Sequence, residues 1–302
     1  MSTTPSPTLA FIGLGAMGLA MAKRQAARQV RVTGFDVRME AVAALAEAGG
    51  HGAATVAQAV AEADYVFLVV VNADQVDSVL FEAGALAAMK PDATVVVMAT
   101  AAPARVIETA RRVTATGRRF IDAPVSGGVA GVEAGTLTIM AAAPADTFAR
   151  AEPVLKAIGA KTYHLGTEYG QGAAMKTVNQ LLAGVHIAVA AEAFALAEKA
   201  GIDPKVALEI LGGSAASSWM LKDRGPRIIG ESDAVTSAVD IFVKDLAIVL
   251  DAGRAAKMGL PLAAIAHQLF LSASGMGHGR RDDSQVIEVY RAAGGKPKDG
   301  KT

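Results

Sequence analysis

The apolar run 9–12 is followed directly by three glycines at Gly-x-Gly-x-x-Gly spacing, Gly13, Gly15 and Gly18. A helical pattern over 17–28 begins just before the last of them. The first glycine permits a tight turn and the second lets a backbone approach a pyrophosphate, while the third lets the helix pack closely on the strand. The free N–H groups at the start of the helix would face the phosphate charge. This pattern predicts a dinucleotide-binding turn, formed by Gly13, Leu14, Gly15, Ala16, Met17 and Gly18.

An acidic residue follows at the end of the next apolar run. Asp36 closes the run 30–35 and lies 18 residues after Gly18, close to the expected separation. Its carboxylate would accept hydrogen bonds from the adenosine ribose hydroxyls and would repel the 2′-phosphate of NADP. Arg38 could favour that phosphate, but it competes with Asp36 for the same ribose. The sequence therefore predicts NAD as the cofactor.

A second candidate is the loop Asp122–Gly128, which follows a predicted strand. Ser126 offers a hydroxyl, and Gly127 and Gly128 offer successive backbone N–H groups, which together can form an anion-binding concavity. Open α/β sheets bind ligands at the carboxyl ends of their strands. The alternative is an ordinary Gly-Gly turn.

The third candidate is a polar helix face. Lys176, Asn179 and Gln180 lie three and four residues apart, so they project from the same side of a helix. Apolar surroundings would lower the pKa of a lysine toward neutrality and make it a usable acid and base. The alternative is a solvated lysine near a helix start.

The elements that position these residues are predicted from hydrophobic periodicity. Strands alternate with helices through residues 1–166, as in a Rossmann-type doubly wound parallel sheet. The predicted strands are 9–12, 30–35, 65–71, 94–98, 120–123 and 136–141; the predicted helices are 17–28, 55–62, 73–81, 103–116 and 146–158.

Strand signals nearly vanish after residue 166. The pattern predicts an all-α second domain over 167–293, built around a long interdomain helix at 171–200. Further helices are predicted at 204–211, 239–258, 262–274 and 282–292. The long helix resembles a membrane span at 181–197, but His186 and Glu192 within that stretch favour a buried helix. The polar segment 294–302 is predicted to be disordered.

The composition of the chain excludes several classes of protein and site. The chain has 302 residues, 29 basic and 29 acidic side chains and no cysteine. Balanced charge gives no reason to expect a nucleic-acid or membrane partner. The lack of cysteine excludes disulfides and thiolate metal sites, and no metal is expected. We expect a cytoplasmic protein.

Four motifs in this order resemble the β-hydroxyacid dehydrogenase family: the turn 13–18, the loop 122–128, the helix start 176–179 and the segment 242–246. The resemblance covers nearly the whole chain and implies hydride transfer with a small acid substrate. It implies that Lys176 exchanges a proton with the substrate and that Ser126, Gly127 and Gly128 hold its carboxylate. It also implies that Asn179 orients the substrate, and that Thr100 and Lys244 lie beside the cofactor.

Two departures bear on the substrate. Ala99 stands where the family usually has serine, and Gln180 stands where it usually has a second asparagine. The segments 180–188, 218–220, 237–246 and 282–284 resemble the L-threonate dehydrogenase branch, which implies NAD-dependent oxidation of a four-carbon sugar acid at C2, with Gln180 at the substrate. Alternatives are a 3-hydroxyisobutyrate-type dehydrogenase, a semialdehyde reductase or a non-catalytic nucleotide-binding protein. The long apolar helix predicts a homodimer or homotetramer.

Overall fold

The computed structural model describes residues 6–232 and 234–294. The chain forms two compact units, Met1–Lys176 and Thr177–Thr302. The predicted disordered tail, apart from Gly294, lies outside the described residues.

A six-stranded parallel sheet forms the centre of the first unit. Its strands lie in the order β3-β2-β1-β4-β5-β6. They are β1 (Leu9–Ile12), β2 (Val32–Phe35), β3 (His51–Gly52), β4 (Tyr65–Leu68), β5 (Thr94–Val97) and β6 (Arg119–Asp122). The order reverses between β1 and β4, which is where ligands bind in doubly wound sheets. The predicted fold class is confirmed.

Both faces of this sheet are buried. Leu9 and Phe11 of β1 belong to one apolar core, whereas the alternate residues Ala10 and Ile12 belong to another. This explains why the strands read as continuous apolar runs rather than alternating ones. The helices of the unit are α1 (Ala16–Ala27), α2 (Met39–Glu47), α3 (Val56–Val60), α4 (Ala73–Asp77), α5 (Ala85–Ala88), α6 (Pro103–Thr114), α7 (Gly128–Glu133) and α8 (Ala145–Ile158), with a π-helical turn at Ser78–Glu82.

A second, smaller sheet follows the sixth strand. It contains β7 (Val125–Ser126), β8 (Thr138–Ala141) and β9 (Lys161–His164), in which β7 is antiparallel to β8 and β8 is parallel to β9. The strand predicted at 136–141 is therefore present, but it does not extend the parallel sheet. Asp122 joins the two sheets through an isolated antiparallel bridge to Ala142.

Helices form nearly all of the described part of the second unit. The longest, α9 (Gln171–Lys199), begins in the first unit and continues into the second. It is followed by α10 (Pro204–Gly213), α11 (Trp219–Ile228), α12 (Val239–Ala255), α13 (Pro261–Ala273), a π-helical turn at Ser274–His278, a 3-10 turn at Asp283–Val286 and α14 (Ile287–Ala293). Ile187 and Phe194 of α9 are fully buried in the core of this unit.

Among the described helices, α9 alone has the length and composition of a membrane span. The mean hydropathy of its most apolar 18-residue window is 1.6, and 50% of that window is buried inside the protein. A core helix of a water-soluble fold gives the same pattern.

Candidate active site

The glycine turn has the close contacts that its spacing predicts. Gly13 has a φ of +92°, and a Cβ there would lie 2.6 Å from the carbonyl oxygen of Val69. A Cβ on Gly18 would lie 1.9 Å from the carbonyl oxygen of Gly13, because α1 packs tightly on the turn. Gly15, which caps the start of α1, has no neighbouring atom within 4 Å of the Cβ position. Two glycines therefore maintain the turn, and the third leaves open space at the helix N-terminus.

The carboxylate of Asp36 lies at the edge of this turn. Its Oδ2 accepts the Leu14 N–H at 2.7 Å, and its Oδ1 accepts the Arg38 N–H at 2.9 Å and Nε at 3.1 Å. Burial opposes ionisation, but the hydrogen bonds from Arg38 and Leu14 outweigh it and lower the pKa of Asp36. The carboxylate is therefore ionised at neutral pH.

The side chain of Arg38 lies beside the carboxylate of Asp36. Its Nη2 donates to the carbonyl oxygen of Leu14 at 3.1 Å, and its side chain remains 53% exposed. The open helix N-terminus and the anchored carboxylate fit a dinucleotide whose ribose carries free hydroxyls, because a 2′-phosphate would meet the charge of Asp36. Arg38 is available to an additional phosphate only if it leaves that carboxylate.

The predicted anion-binding loop has the backbone that its glycines allow. Gly127 and Gly128 have φ values of +129° and +62°, a left-handed conformation that other residues rarely adopt. Ser126 ends β7, pairs with Thr138 and is half-buried. The loop follows β6, so it leaves the sheet at the same edge as the dinucleotide turn after β1.

Thr100 lies at that edge as well. It follows β5 and is half-buried between the strand and the start of α6. Because β1, β5 and β6 are parallel strands of one sheet, their following loops share the carboxyl edge. The structure thus brings the turn 13–18, Thr100 and the loop 126–128 to one edge.

A residue that the sequence patterns do not single out for a role lies at the junction of these elements. Asp122 is 1% exposed, and its Oδ2 accepts the N–H groups of Gly170 at 3.1 Å and Ala173 at 2.9 Å. Burial raises the pKa of Asp122 to about 6, although the N–H groups of Ala173, Gly170 and Gly172 oppose this shift. In the sequence, the one indication of a role for Asp122 is its position at the end of a predicted strand, before Pro124 and the pair Gly127-Gly128.

Lys176 lies one helical turn after Ala173 and is only 8% exposed. The alternative of a solvated lysine at a helix start is therefore wrong. A buried amine can serve as an acid and a base. Its catalytic assignment stays a prediction.

The remaining predicted residues form a buried network in the second unit. Gln180 donates from Nε2 to Oδ2 of Asp245 at 2.5 Å, and its Oε1 accepts a hydrogen bond of 3.0 Å from Asn179 Nδ2. Lys244 forms an ion pair with the other oxygen of Asp245. Gln180 and Lys244 therefore meet at the carboxylate of Asp245, which the prediction did not include, and Asn179 joins them through Gln180.

The segment 282–284 has a different role. Asp283 is fully buried and accepts two hydrogen bonds from Arg224, at 2.9 and 2.8 Å. Asp282 accepts the Arg227 Nε at 3.0 Å and the Thr236 N–H at 3.0 Å. These residues hold the helical unit together. Within residues 6–232 and 234–294, no cluster of three or more His, Cys, Asp or Glu could hold a metal ion.

Comparison with known families assigns both parts of the chain. Residues 8–166 match the family described as the NAD binding domain of 6-phosphogluconate dehydrogenase, and residues 170–290 match the family described as NAD-binding of NADP-dependent 3-hydroxyisobutyrate dehydrogenase. The chain belongs to the β-hydroxyacid dehydrogenase family. As a member, it is an NAD(P)-dependent oxidoreductase acting on a CH–OH group, as the sequence predicted.

Individual relatives cover almost all of this β-hydroxyacid dehydrogenase. L-threonate dehydrogenase of Cupriavidus necator is 45% identical over 94% of this chain and 96% of its own length. 2-(Hydroxymethyl)glutarate dehydrogenase of Eubacterium barkeri is 38% identical over 93% of this chain and 94% of its own length. The crystal structure of 3-hydroxyisobutyrate dehydrogenase from Salmonella typhimurium superposes with a TM-score of 0.89 at 39% identity, covering 94% of this chain and 100% of its own.

Proposed function

We propose that the protein oxidises L-threonate, or a closely related short sugar acid, at C2 to the 2-oxo acid with NAD. The burial of Lys176, three residues after Ala173, whose N–H contacts Asp122 at the end of β6, supports the reaction type, because a buried amine provides a shielded proton acceptor. The similarity to L-threonate dehydrogenase over 94% of the chain supports the substrate class.

The anchored carboxylate of Asp36 supports the choice of NAD over NADP, because a 2′-phosphate would meet its charge. The open space at Gly15 leaves room for the pyrophosphate that both dinucleotides carry. Residues 13–18 would hold the pyrophosphate at the start of α1, and Asp36 would bind the ribose hydroxyls. Thr100 is proposed to lie beside the nicotinamide, and Lys244 is proposed to contact the cofactor. When bound, NAD supplies the two-electron acceptor for the hydrogen of the alcohol carbon.

Lys176 is the proposed catalytic base. In its neutral form it takes the proton from the C2 hydroxyl, so that the oxygen can form the carbonyl as the C–H bond breaks. Oxidation requires the neutral amine, so its rate should rise with pH. In the reverse reaction the protonated amine returns the proton to the oxygen.

Ser126, Gly127 and Gly128 are proposed to bind the substrate carboxylate. The hydroxyl and the successive N–H groups of a left-handed turn present donors to an anion. Asn179 and Gln180 are proposed to orient the substrate hydroxyls. The amide of Gln180 is engaged by Asp245 and Asn179, so it can act by holding Asn179 in place as well as by direct contact.

A substrate screen tests this proposal. Purified protein is assayed with a panel of sugar acids and NAD, and with semialdehyde acids and NADH or NADPH, by absorbance at the reduced-nicotinamide band. We expect the highest kcat/KM with L-threonate and NAD. Lys176→Ala should retain NAD binding and lose at least about 100-fold in kcat. Near-normal turnover by this variant would overturn the lysine assignment.

The nearest alternative is another substrate of the same reaction class. The relative that acts on 2-(hydroxymethyl)glutarate and the structure of a 3-hydroxyisobutyrate dehydrogenase favour a branched hydroxy acid, or a semialdehyde acid in the reverse direction. Higher kcat/KM with these acids than with L-threonate would select that alternative. Nucleotide binding without turnover across the panel would select a non-catalytic nucleotide-binding protein.

We also propose a homodimer or homotetramer in the cytoplasm. Leu182, Val189 and Leu196 repeat at intervals of seven residues on α9 and are 51%, 52% and 70% exposed. Such a stripe favours packing against an apolar face of a second copy. Light scattering of the wild type and of Val189→Glu, which places a charge in the middle of this stripe, tests the proposal. We expect an oligomer that the substitution dissociates, and a monomeric wild type would contradict it.

A further inference from the structure

We propose that Asp122 is a positioning residue that fixes the first turn of α9 and thereby holds Lys176 at a set distance from the Ser126 loop. This inference rests on the proposed function, because it assigns a catalytic purpose to the placement of Lys176. The contact itself belongs to the first unit. It consists of a buried carboxylate and the N–H groups of Gly170, Gly172 and Ala173 at the start of the helix.

The main chain of Asp122 is fixed on two sides. It pairs with Val97 in the parallel sheet and forms both hydrogen bonds of an antiparallel bridge with Ala142, at 3.1 and 2.8 Å. Ser126 follows four residues later. One residue thus connects the sheet, the predicted carboxylate loop and the helix that carries the lysine.

On the helix side of this contact, Gly172 packs closely against Asp122. A Cβ on Gly172 would lie 2.5 Å from the carbonyl oxygen of Met140 and 2.9 Å from both Cγ and O of Asp122. Any side chain at this position would push the helix start away from the strand. The glycine is therefore a second, independent indication that the first turn of α9 is held directly against Asp122.

An aromatic contact beside the carboxylate supports the same placement. Tyr169, just before the helix, meets Phe120 of β6 edge to face, with ring centroids 5.4 Å apart. Gly170 has a φ of +92° and packs against Ile107 of α6. The chain therefore enters α9 along one path, anchored on β6 and α6.

A carboxylate suits this position because the first N–H groups of a helix have no partners within the helix. A buried apolar residue would leave them unsatisfied. The ionised carboxylate accepts several of them at once and also interacts favourably with the positive end of the helix dipole. Burial raises the pKa of Asp122 to about 6, so above that pH the carboxylate is ionised at a cost in desolvation, which the N–H groups of Ala173, Gly170 and Gly172 partly offset.

The consequence for Lys176 follows from helix geometry. Lys176 lies three residues after Ala173, whose N–H is bound directly by Asp122. Successive residues are rotated by about 100° around a helix axis, so a slip of one residue at the start would turn the lysine away from its position. A displacement of about 1 Å in a reacting group can lower a rate by about 100-fold.

Three variants test the proposal. Asp122→Asn keeps the shape but replaces one acceptor oxygen with a donor, and Gly172→Ala perturbs the same contact from the helix side. Asp64→Asn is the control: Asp64 also accepts a backbone N–H, from Thr8 at 2.8 Å, but at the amino ends of β1 and β4. Each variant is examined by steady-state kinetics, NADH binding and hydrogen–deuterium exchange of a peptide spanning 168–176.

For Asp122→Asn and Gly172→Ala we expect faster exchange in that peptide, a kcat lowered by about 10- to 100-fold and an unchanged Kd for NADH. Asp64→Asn should change neither the exchange of the peptide nor kcat. A merely structural role would leave kcat and KM of the folded variants at wild-type values.

Unchanged exchange in Asp122→Asn would overturn the proposal, whatever the activity. Faster exchange with unchanged kcat, in an enzyme that Lys176→Ala inactivates, would overturn it as well. Normal turnover by Lys176→Ala would instead show that the proposed function of the lysine had failed, and the exchange result would still decide whether Asp122 holds the helix start.

Discussion

Gln180 Nε2 lies 2.5 Å from Oδ2 of Asp245, and both side chains are buried. The hydrogen bond joins α9 to α12 within the helical unit. Asp245 also holds the ammonium group of Lys244, and Gln180 also accepts a hydrogen bond from Asn179. Gln180 is therefore part of a network that sets the positions of its neighbours.

Replacing Gln180 with asparagine should break this hydrogen-bond network, because the shorter side chain cannot reach both Asp245 and Asn179. One buried oxygen of Asp245 loses a partner, which costs about 1–3 kcal/mol in the free energy of unfolding. We expect a higher KM for the hydroxy acid and an unchanged Kd for NAD. Urea denaturation and steady-state kinetics measure both, and Gln268→Asn on the exposed side of α13 is the control. Equal effects of the two substitutions would contradict the role of the network.

Cofactor preference should depend on Asp36. In the wild type, Arg38 donates hydrogen bonds to Asp36 and to the carbonyl oxygen of Leu14. In Asp36→Ser the charge that repels a 2′-phosphate is absent, and Arg38 becomes free to bind that phosphate. We expect the ratio of kcat/KM for NADP to that for NAD to rise by about 10- to 100-fold, in keeping with about 1.4 kcal/mol for each factor of ten. The double variant Asp36→Ser/Arg38→Ala should lose most of this gain. An unchanged ratio in the single variant would show that position 36 does not select the cofactor.

Stability should depend on pH through Asp122. Burial raises its pKa from 3.8 to about 6, so the folded state favours the neutral carboxyl. This contribution to stability is complete below about pH 4 and is lost as the pH rises through about 6, a change of about 3 kcal/mol. Asp122→Asn does not titrate, so the unfolding free energy of the wild type minus that of the variant should fall over this range. A difference that is flat with pH, measured by urea denaturation, would contradict this assignment.

The periodic parts of the fold could be predicted from the sequence. The strands 65–71 and 94–98 are continuous apolar runs, and their buried portions, Tyr65–Leu68 and Thr94–Val97, form the sheet. By contrast, β9 is Lys-Thr-Tyr-His and largely exposed, so it has no periodic signal, and its pairing with β8 depends on tertiary contacts. The same limit explains why the apolar pattern at 136–141 predicts a strand but not the sheet to which it belongs.

The candidate site shows the same division. The glycine turn and Asp36 are close in sequence, and local spacing is enough to place them together. Asp245 is 65 residues from Gln180, and Asp122 is 51 residues from Ala173. No periodicity relates such pairs, because their proximity arises from packing between elements. Residues that support the predicted site residues could therefore be found only in the folded structure.

A buried ion pair should determine much of the stability of the helical unit. Arg224 donates two hydrogen bonds to Asp283, which is completely buried. Asp283→Ala would leave the guanidinium buried and without this partner, at a cost of about 3–5 kcal/mol. The double variant Arg224→Met/Asp283→Leu should recover most of the loss because no unpaired charge remains. Urea denaturation compares them, and a double variant less stable than the single one would contradict the explanation.

The two glycines Gly15 and Gly18 should separate the folding role of the turn from its binding role. A Cβ on Gly18 would lie 1.9 Å from the carbonyl oxygen of Gly13, so Gly18→Ala must displace α1 from β1 and should lower the unfolding free energy by about 1–3 kcal/mol. A Cβ on Gly15 meets no protein atom within 4 Å, so Gly15→Ala should fold with wild-type stability. If the pyrophosphate approaches at Gly15, the added methyl group occupies the space that it needs, and the Kd for NAD should rise by about tenfold or more. Thermal unfolding without nucleotide and titration with NADH measure the two effects separately. Wild-type affinity in Gly15→Ala would contradict the placement of the pyrophosphate at the N-terminus of α1.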